Sequence, residues 1–240
     1  MTEIRNYETV ELVAKAAAEN AVEILNLAIA ERGAAVWVLA GGSSPLAAYK
    51  ELVSLYANAV DWSKVTVVMG DERYVPFDHP DSNWGAIMAL FDTDQAFDPM
   101  HRLAPTILES VERTAEAYDV QVSALHVERF DLVWLGVGED GHTLSLFLDN
   151  SAFTEPTTHL IIPVHDSPKP PSERISLSLK ALEQISELVI FATGAAKHDA
   201  LRTARLQGGL PVAVAAQVAE AHGAEVRWLY DAAAWDGIKG

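Results

Sequence analysis

An α/β fold, with a doubly wound, mostly parallel sheet and helices on both faces, is what this 240-residue sequence predicts. Three observations point to it. Apolar runs recur at residues 35–40, 65–69, 132–135 and 188–192, each continuous rather than alternating. A strand reads that way when both of its faces are covered, as in a parallel sheet. Stretches with helical spacing separate the runs, which gives the alternation of a doubly wound sheet. A glycine follows every run within two residues, which places flexible loops at the carboxyl ends of the strands, where such sheets bind ligands.

Taken in order, residues 8–32 carry Val13, Ala17, Ala21, Ile24 and Ala28 at the spacing of an amphipathic helix, and Gly33 ends it. The first strand, 35–40, leads into a helix over 45–57 whose opening Pro45 suits a first turn. The second strand, 65–69, precedes a helix over 82–91. Residues 92–105, with Pro99 and Pro105, show no period and read as an irregular connection. A helix over 108–127 leads to the third strand, 132–135. Residues 156–171 contain Pro156, Pro163, Pro168, Pro170 and Pro171 and read as a long loop, of the kind that forms lids or binding loops. The fourth strand, 188–192, feeds a helix over 195–206. There is no internal repeat, low-complexity tract or linker, so one domain over 1–240 is expected.

The net charge of -17 opposes binding to nucleic acid and to anionic membranes. No apolar run approaches the roughly 18 residues of a membrane span, and the N-terminus lacks the basic-then-apolar order of a secretion signal. The absence of cysteine removes disulfides, thiolate metal sites and a cysteine nucleophile, and it suits a reducing cytosol. A cytoplasmic protein is expected. An anionic small molecule remains compatible with the charge, provided that some of the 17 lysines and arginines gather where it binds. Any of them in a glycine-rich or proline-rich loop is a candidate.

The strand ends carry the chemistry. Gly41-Gly42-Ser43-Ser44-Pro45 opens a helix with exposed N–H groups, an anion site above all for phosphate, or else a serine-capped turn. It lacks the Gly-Lys-Ser/Thr ending of a P-loop. After the second strand, Asp71 and Glu72 could serve as metal ligands, as acid–base groups or as partners of Arg73, while His79 reads as a turn residue. After the third, Gly136-Val137-Gly138-Glu139-Asp140-Gly141 formally matches the dinucleotide fingerprint. Two carboxylates in a loop that must accept a pyrophosphate argue against that reading, as does its position in the third strand–helix unit rather than the first. What remains is an acid, Asp140, two residues before a histidine, His142, a residue suited to taking a proton from water at neutral pH. Lys197 enters the first turn of a helix, where a cation is unfavourable unless an anion or a carboxylate is near. Arg174 emerges from the proline segment as another fixed cation. These features suggest an enzyme for a small phosphorylated substrate without naming the reaction.

Together the segments resemble the 6-phosphogluconolactonase family. The matches are 39–45, Gly70-Asp71-Glu72-Arg73 with 78–83, the stretch from Gly136 to Phe147, Arg174-Ile175-Ser176-Leu177 and the Gly194 to Lys197 turn, in the family's order. Leu148 stands where the family usually has proline, and Ala196 where it usually has glycine. The resemblance implies a modified Rossmann-like fold shared with glucosamine-6-phosphate deaminases and ribose-5-phosphate isomerases. It also implies hydrolysis of 6-phosphogluconolactone by His142 as general base, with Asp140 orienting it. Gly41, Gly42 and Ser43, joined by Ser44, Asp71 and Gly138, would cradle substrate. Arg73, Arg174 and Lys197 would bind phosphate or stabilise negative charge, Arg73 counting also among the catalytic groups. No metal or redox cofactor is implied, and the partner is a sugar-phosphate lactone bound by a monomer or homodimer. The alternatives are an amino-sugar phosphate deaminase and a non-catalytic sugar-phosphate binder. The deaminases carry a glutamate five residues after the histidine, where this chain has Phe147.

Overall fold

Capping residues set the first elements of the computed structural model, which describes residues 2–235; Met1 and 236–240, part of the single-domain expectation, lie outside the described residues. β1 (Thr2–Tyr7) leads to α1 (Val10–Arg32), whose N-terminus is capped by the Thr9 hydroxyl accepting from the Leu12 N–H at 3.4 Å. Then come β2 (Ala35–Leu39), α2 (Ser43–Tyr56), β3 (Val65–Met69), β4 (Asp71–Arg73), α3 (Asn83–Phe91), β5 (His101–Leu103) and α4 (Val111–Ser123). β6 (Phe130–Gly136), the short α5 (Ser151–Thr154), β7 (Ile161–Val164) and β8 (Arg174–Leu177) follow. β9 (Ile185–Ala192), α6 (His198–Leu206), α7 (Pro211–Ala221) and β10 (Glu225–Asp231) complete the order.

Seven strands form one all-parallel sheet in the order β1-β10-β9-β6-β2-β3-β5. Every residue of β2 is buried, and because successive side chains face opposite ways, both faces of the sheet are covered. Trp37 and Trp134 from neighbouring strands meet edge to face at 4.7 Å, and Tyr49 of α2 stacks on Trp134 at 4.9 Å. Such pairs add about 0.5–1.5 kcal/mol each beyond the area they bury. A second, antiparallel sheet, β4-β8-β7, stands beside the first.

The chain runs outward from β2 through β3 to β5, then returns to the other side of β2 as β6 and continues outward through β9 to β10. The strand order therefore reverses between β2 and β6, and a crevice opens there beyond their carboxyl ends. Two buried tyrosines fix the backbone at its mouth. Tyr49 accepts from the Ala40 N–H at 3.0 Å and donates to its carbonyl at 3.2 Å. Tyr118 of α4 does the same for Met69, at 2.8 and 3.0 Å. Each hydroxyl satisfies backbone groups that the ending strand leaves unpaired.

The four strands read from apolar runs are present, but two expected loops contain strands. Residues 92–105 hold β5 and 156–171 hold β7, each at an edge of its sheet, where one face is partly open and the apolar run is short. The expected helix over 108–127 covers 111–123, and that over 195–206 divides into a 3-10 turn (195–197) and α6. β1, β10 and α7 were not read from the sequence. Among the described residues, no helix is long and apolar enough to cross a membrane.

Candidate active site

The crevice is a cavity of about 320 Å³ lined by the end of β6 and the segments that follow β2, β6 and β9, by β4 and the first residue of α3, and by the proline segment with the first residue of β8. Gly41, Gly42, Ser43 and Ser44 form one wall, the first turn of α2. Gly42 adopts φ 97° and ψ 167°, a backbone that strains any residue with a Cβ, and it stands just before the α2 N-terminus, whose first-turn N–H groups have no partner within the helix. Gly41 leaves room for Asn83: a Cβ there would lie 2.1 Å from Asn83 Oδ1. The Ser44 hydroxyl shares a 2.6 Å hydrogen bond with Thr193, which ties this turn to the end of β9.

Beyond β3, Asp71 and Glu72 part company. Asp71 lines the cavity, and its Oδ2 accepts from the buried Ser145 hydroxyl at 2.7 Å. Glu72 is fully buried and accepts from the Ser82 hydroxyl and from the N–H groups of Arg73, Asn83 and Trp84, at 2.6–3.0 Å. It caps the start of α3, where the helix dipole favours an anion. Burial nonetheless pushes its pKa up, against those hydrogen bonds. Of the three roles open to the pair, Glu72 thus takes a fourth, and the Arg73 guanidinium bonds to the Asp81 carbonyl instead. His79 is a turn residue, accepting from the Asp81 N–H at 3.1 Å.

Arg73 and Arg174 are directly opposed across β4 and β8, and both line the cavity. Like charges so placed are unfavourable unless something negative lies near, and Asp71 supplies part of it. Arg174 is 4% exposed, and burial lowers its pKa, with Asp71 opposing. Lys197 lines the far side, half-buried, its pKa likewise lowered by burial and supported by Glu139. Its turn is held by the Asp231 carboxylate at the end of β10, which accepts from the Gly194 N–H at 2.9 Å. Ala196 sits in ordinary backbone: among the described non-glycine residues only His126, Leu144 and Asp166 have positive φ.

The loop after β6 closes on itself, Gly138 N–H donating to the His142 carbonyl at 2.8 Å and Gly141 N–H to the Gly138 carbonyl at 3.0 Å. This brings Asp140 Oδ1 within 2.5 Å of His142 Nδ1. An ionised carboxylate only accepts, so Nδ1 carries the proton and Nε2 keeps the free lone pair. Burial lowers the His142 pKa, while Asp140 works the other way. Asp140 itself, despite partial burial, lies below the usual carboxylate range because of its bond to His142 and the nearby charges of His142 and Lys169. The Phe147 ring lies 4.4 Å from the imidazole. Ten of the expected site residues line the one cavity; Asp140 stands behind His142 instead. Asn83, inside the matching stretch 78–83 but not singled out there, and Lys169, outside every motif, also line it. Lys169 had a signal, being a rare cation in a proline-rich segment. Among the described residues no cluster of three or more His, Asp or Glu is arranged to hold a metal ion.

Comparison with known proteins gives a consistent picture. The model of the family described as glucosamine-6-phosphate isomerases/6-phosphogluconolactonase matches residues 8–228. The 6-phosphogluconolactonase of Mycobacterium tuberculosis is 34% identical over 231 residues, 92% of each chain. The solved structure of 6-phosphogluconolactonase from Trypanosoma brucei superposes with a TM-score of 0.83 at 26% identity, covering 99% of both chains. A monomeric glucosamine-6-phosphate deaminase shares the fold, with a TM-score of 0.75 at 20% identity over 97% of this chain and 98% of that one.

Proposed function

The chain belongs to the glucosamine-6-phosphate isomerase/6-phosphogluconolactonase family, and we propose that it hydrolyses 6-phospho-D-glucono-1,5-lactone to 6-phospho-D-gluconate, in the oxidative pentose phosphate pathway. The observation that carries this reading over the deaminase is the Asp140–His142 pair beside Phe147. Position 147 offers an apolar ring, so among the described residues the only carboxylate bonded to the imidazole is the one that fixes its tautomer.

His142 Nε2 takes a proton from water as the water oxygen attacks the lactone carbonyl carbon. Negative charge collects on the carbonyl oxygen, and Arg73 and the α2 N-terminus face the cavity in which it develops. Collapse of the tetrahedral intermediate breaks the bond to the ring oxygen, which takes the proton back from the imidazolium and leaves as a hydroxyl. Asp140 stabilises that imidazolium and holds its orientation. Gly41, Gly42, Ser43, Ser44 and Gly138 shape the cradle, Asp71 offers an acceptor for sugar hydroxyls, and Lys197 with Arg73 and Arg174 provides for the phosphate. General base catalysis contributes about 10²–10⁴-fold, and orientation with oxyanion stabilisation supplies the rest. The reading carries with it a single cytoplasmic domain acting as monomer or homodimer, and the net charge of -17 speaks against a nucleic-acid partner.

The test is the rate of lactone hydrolysis, with lactone generated in situ, spontaneous opening subtracted and EDTA present. Turnover well above background is expected. No acceleration, together with ammonia release from glucosamine-6-phosphate, would transfer the chain to the deaminases.

A further inference from the structure

We propose that Lys169 is a positioning residue of the hydrolytic site, the cation that holds Asp140 in register with His142 and that Arg174 delivers there. The inference rests on the general-base role of His142 proposed above. Lys169 Nζ lies 3.4 Å from Asp140 Oδ1, the same oxygen that meets His142 Nδ1 at 2.5 Å. A cation, a carboxylate and an imidazole therefore share one atom at the cavity wall.

The strap that carries Lys169 is built to hold it. Ser167 Oγ donates to the Lys169 carbonyl at 2.9 Å and accepts from its N–H at 3.3 Å, and the Ser167 N–H reaches the Ser172 carbonyl at 3.0 Å. Buried Arg174 donates through Nε to the Pro171 carbonyl at 3.0 Å and through Nη2 to the carbonyls of Lys169 and Pro170, at 2.9 and 3.4 Å. Its guanidinium also lies 5.6 Å from the centre of the Phe147 ring, the ring that backs His142. Two of the three nitrogens of Arg174 thus serve the strap. Arg174 anchors the loop at least as much as it addresses substrate.

The pairing of Lys169 with Asp140 leaves both side chains about two-fifths exposed, so it adds little to stability. Its consequence is electrostatic. Asp140 alone would draw His142 toward the imidazolium form, which cannot act as a base. Burial of the ring opposes that pull most strongly, Lys169 adds to the opposition, and Asp71 from β4 joins the pull more weakly. Glu139 and Lys197 stand further out along the same cavity. Asp140 can then orient the ring without saturating it with a proton.

The experiment compares the pH profiles of kcat/KM for 6-phosphogluconolactone hydrolysis in Lys169→Met, Lys169→Arg, His142→Ala and the parent protein. Loss of the cation in Lys169→Met should move the acid limb to higher pH and lower kcat about tenfold, with KM for the lactone nearly unchanged. Lys169→Arg, which keeps the charge, should restore the limb and most of the rate. An acid limb that stays in place in Lys169→Met overturns the proposal, as does a loss confined to KM, which would make Lys169 a phosphate ligand. His142→Ala separates the two levels. Retained turnover there removes the general-base reading itself, whereas a dead His142→Ala beside an unmoved Lys169→Met limb removes only the role given to Lys169.

Discussion

Gly138→Ala tests the geometry of the Asp140–His142 pair, because the three atoms nearest the added methyl all belong to that pair. An ideal Cβ on Gly138 lies 2.0 Å from His142 Nδ1, 2.2 Å from its Cε1 and 2.5 Å from Asp140 Oδ1. Ordinary contact begins at 3.4 Å, so the imidazole must retreat by about 1.4 Å. The backbone itself raises no objection, since Gly138 is not among the glycines with positive φ. A displacement of about 1 Å in a catalytic group costs on the order of 10²-fold, and kcat/KM should fall by about that much. Arg73, Arg174 and Lys197, the groups proposed to bind the phosphate, are other parts of the cavity lining, so the loss should fall on kcat rather than KM. Local overpacking at one loop should lower stability by about 1 kcal/mol, a fall in Tm of about 2–4 °C for a chain of this length. Steady-state hydrolysis of lactone generated in situ, with calorimetry on the same sample, measures both. A folded variant within about threefold of the parent kcat/KM would refute the placement of the pair as the reacting groups.

Three further outcomes are expected. Only neutral His142 can act as base, and burial lowers its pKa; kcat/KM should therefore rise with pH through a midpoint below the ordinary value of about 6.5 and be flat near neutrality. A midpoint at or above that value would contradict the burial of the base. Lys197→Ala should raise KM for the lactone about tenfold with kcat nearly kept, as expected for loss of one charge-assisted hydrogen bond; an unchanged KM removes Lys197 from the phosphate site. Glu72→Gln exchanges an acceptor of four hydrogen bonds for a group with an amide on one side, so it should lower stability by about 2 kcal/mol, or Tm by about 4–8 °C, in thermal melts. An unaltered Tm would mean that α3 does not depend on this cap.

The central strands were legible because a strand covered on both faces is largely apolar, and the runs 35–39, 65–69, 132–135 and 188–192 within β2, β3, β6 and β9 are so apart from Thr66, with Asp131 and Glu187 lying just ahead of two of them. β10 is as deeply placed, yet Arg227 interrupts its run. That charge is tolerated because Glu3 on β1 and Glu187 on β9 lie 3.2 and 3.4 Å away, partners that no local pattern reveals. β7 was hidden by Pro163, which an edge of the small sheet accommodates. The Gly-rich turns were legible for a related reason: a strand that ends at a ligand must let backbone approach closely, and that demand is written in residues 41–42 and 136–141 themselves.

Amino-acid order alone determined the alternation of strand and helix, the turns at the strand ends and the presence of an acid two residues before a histidine. These are local features, set by side-chain period, backbone freedom and short spacing. Tertiary structure alone decided that Glu72 caps a helix, that Arg174 ties down a strap, and that Lys169 meets Asp140 from 29 residues away. Each depends on which loops converge where the strand order reverses between β2 and β6. That convergence is settled by burying the shared core, and the charged groups in the loops take whatever partners the packing brings within reach.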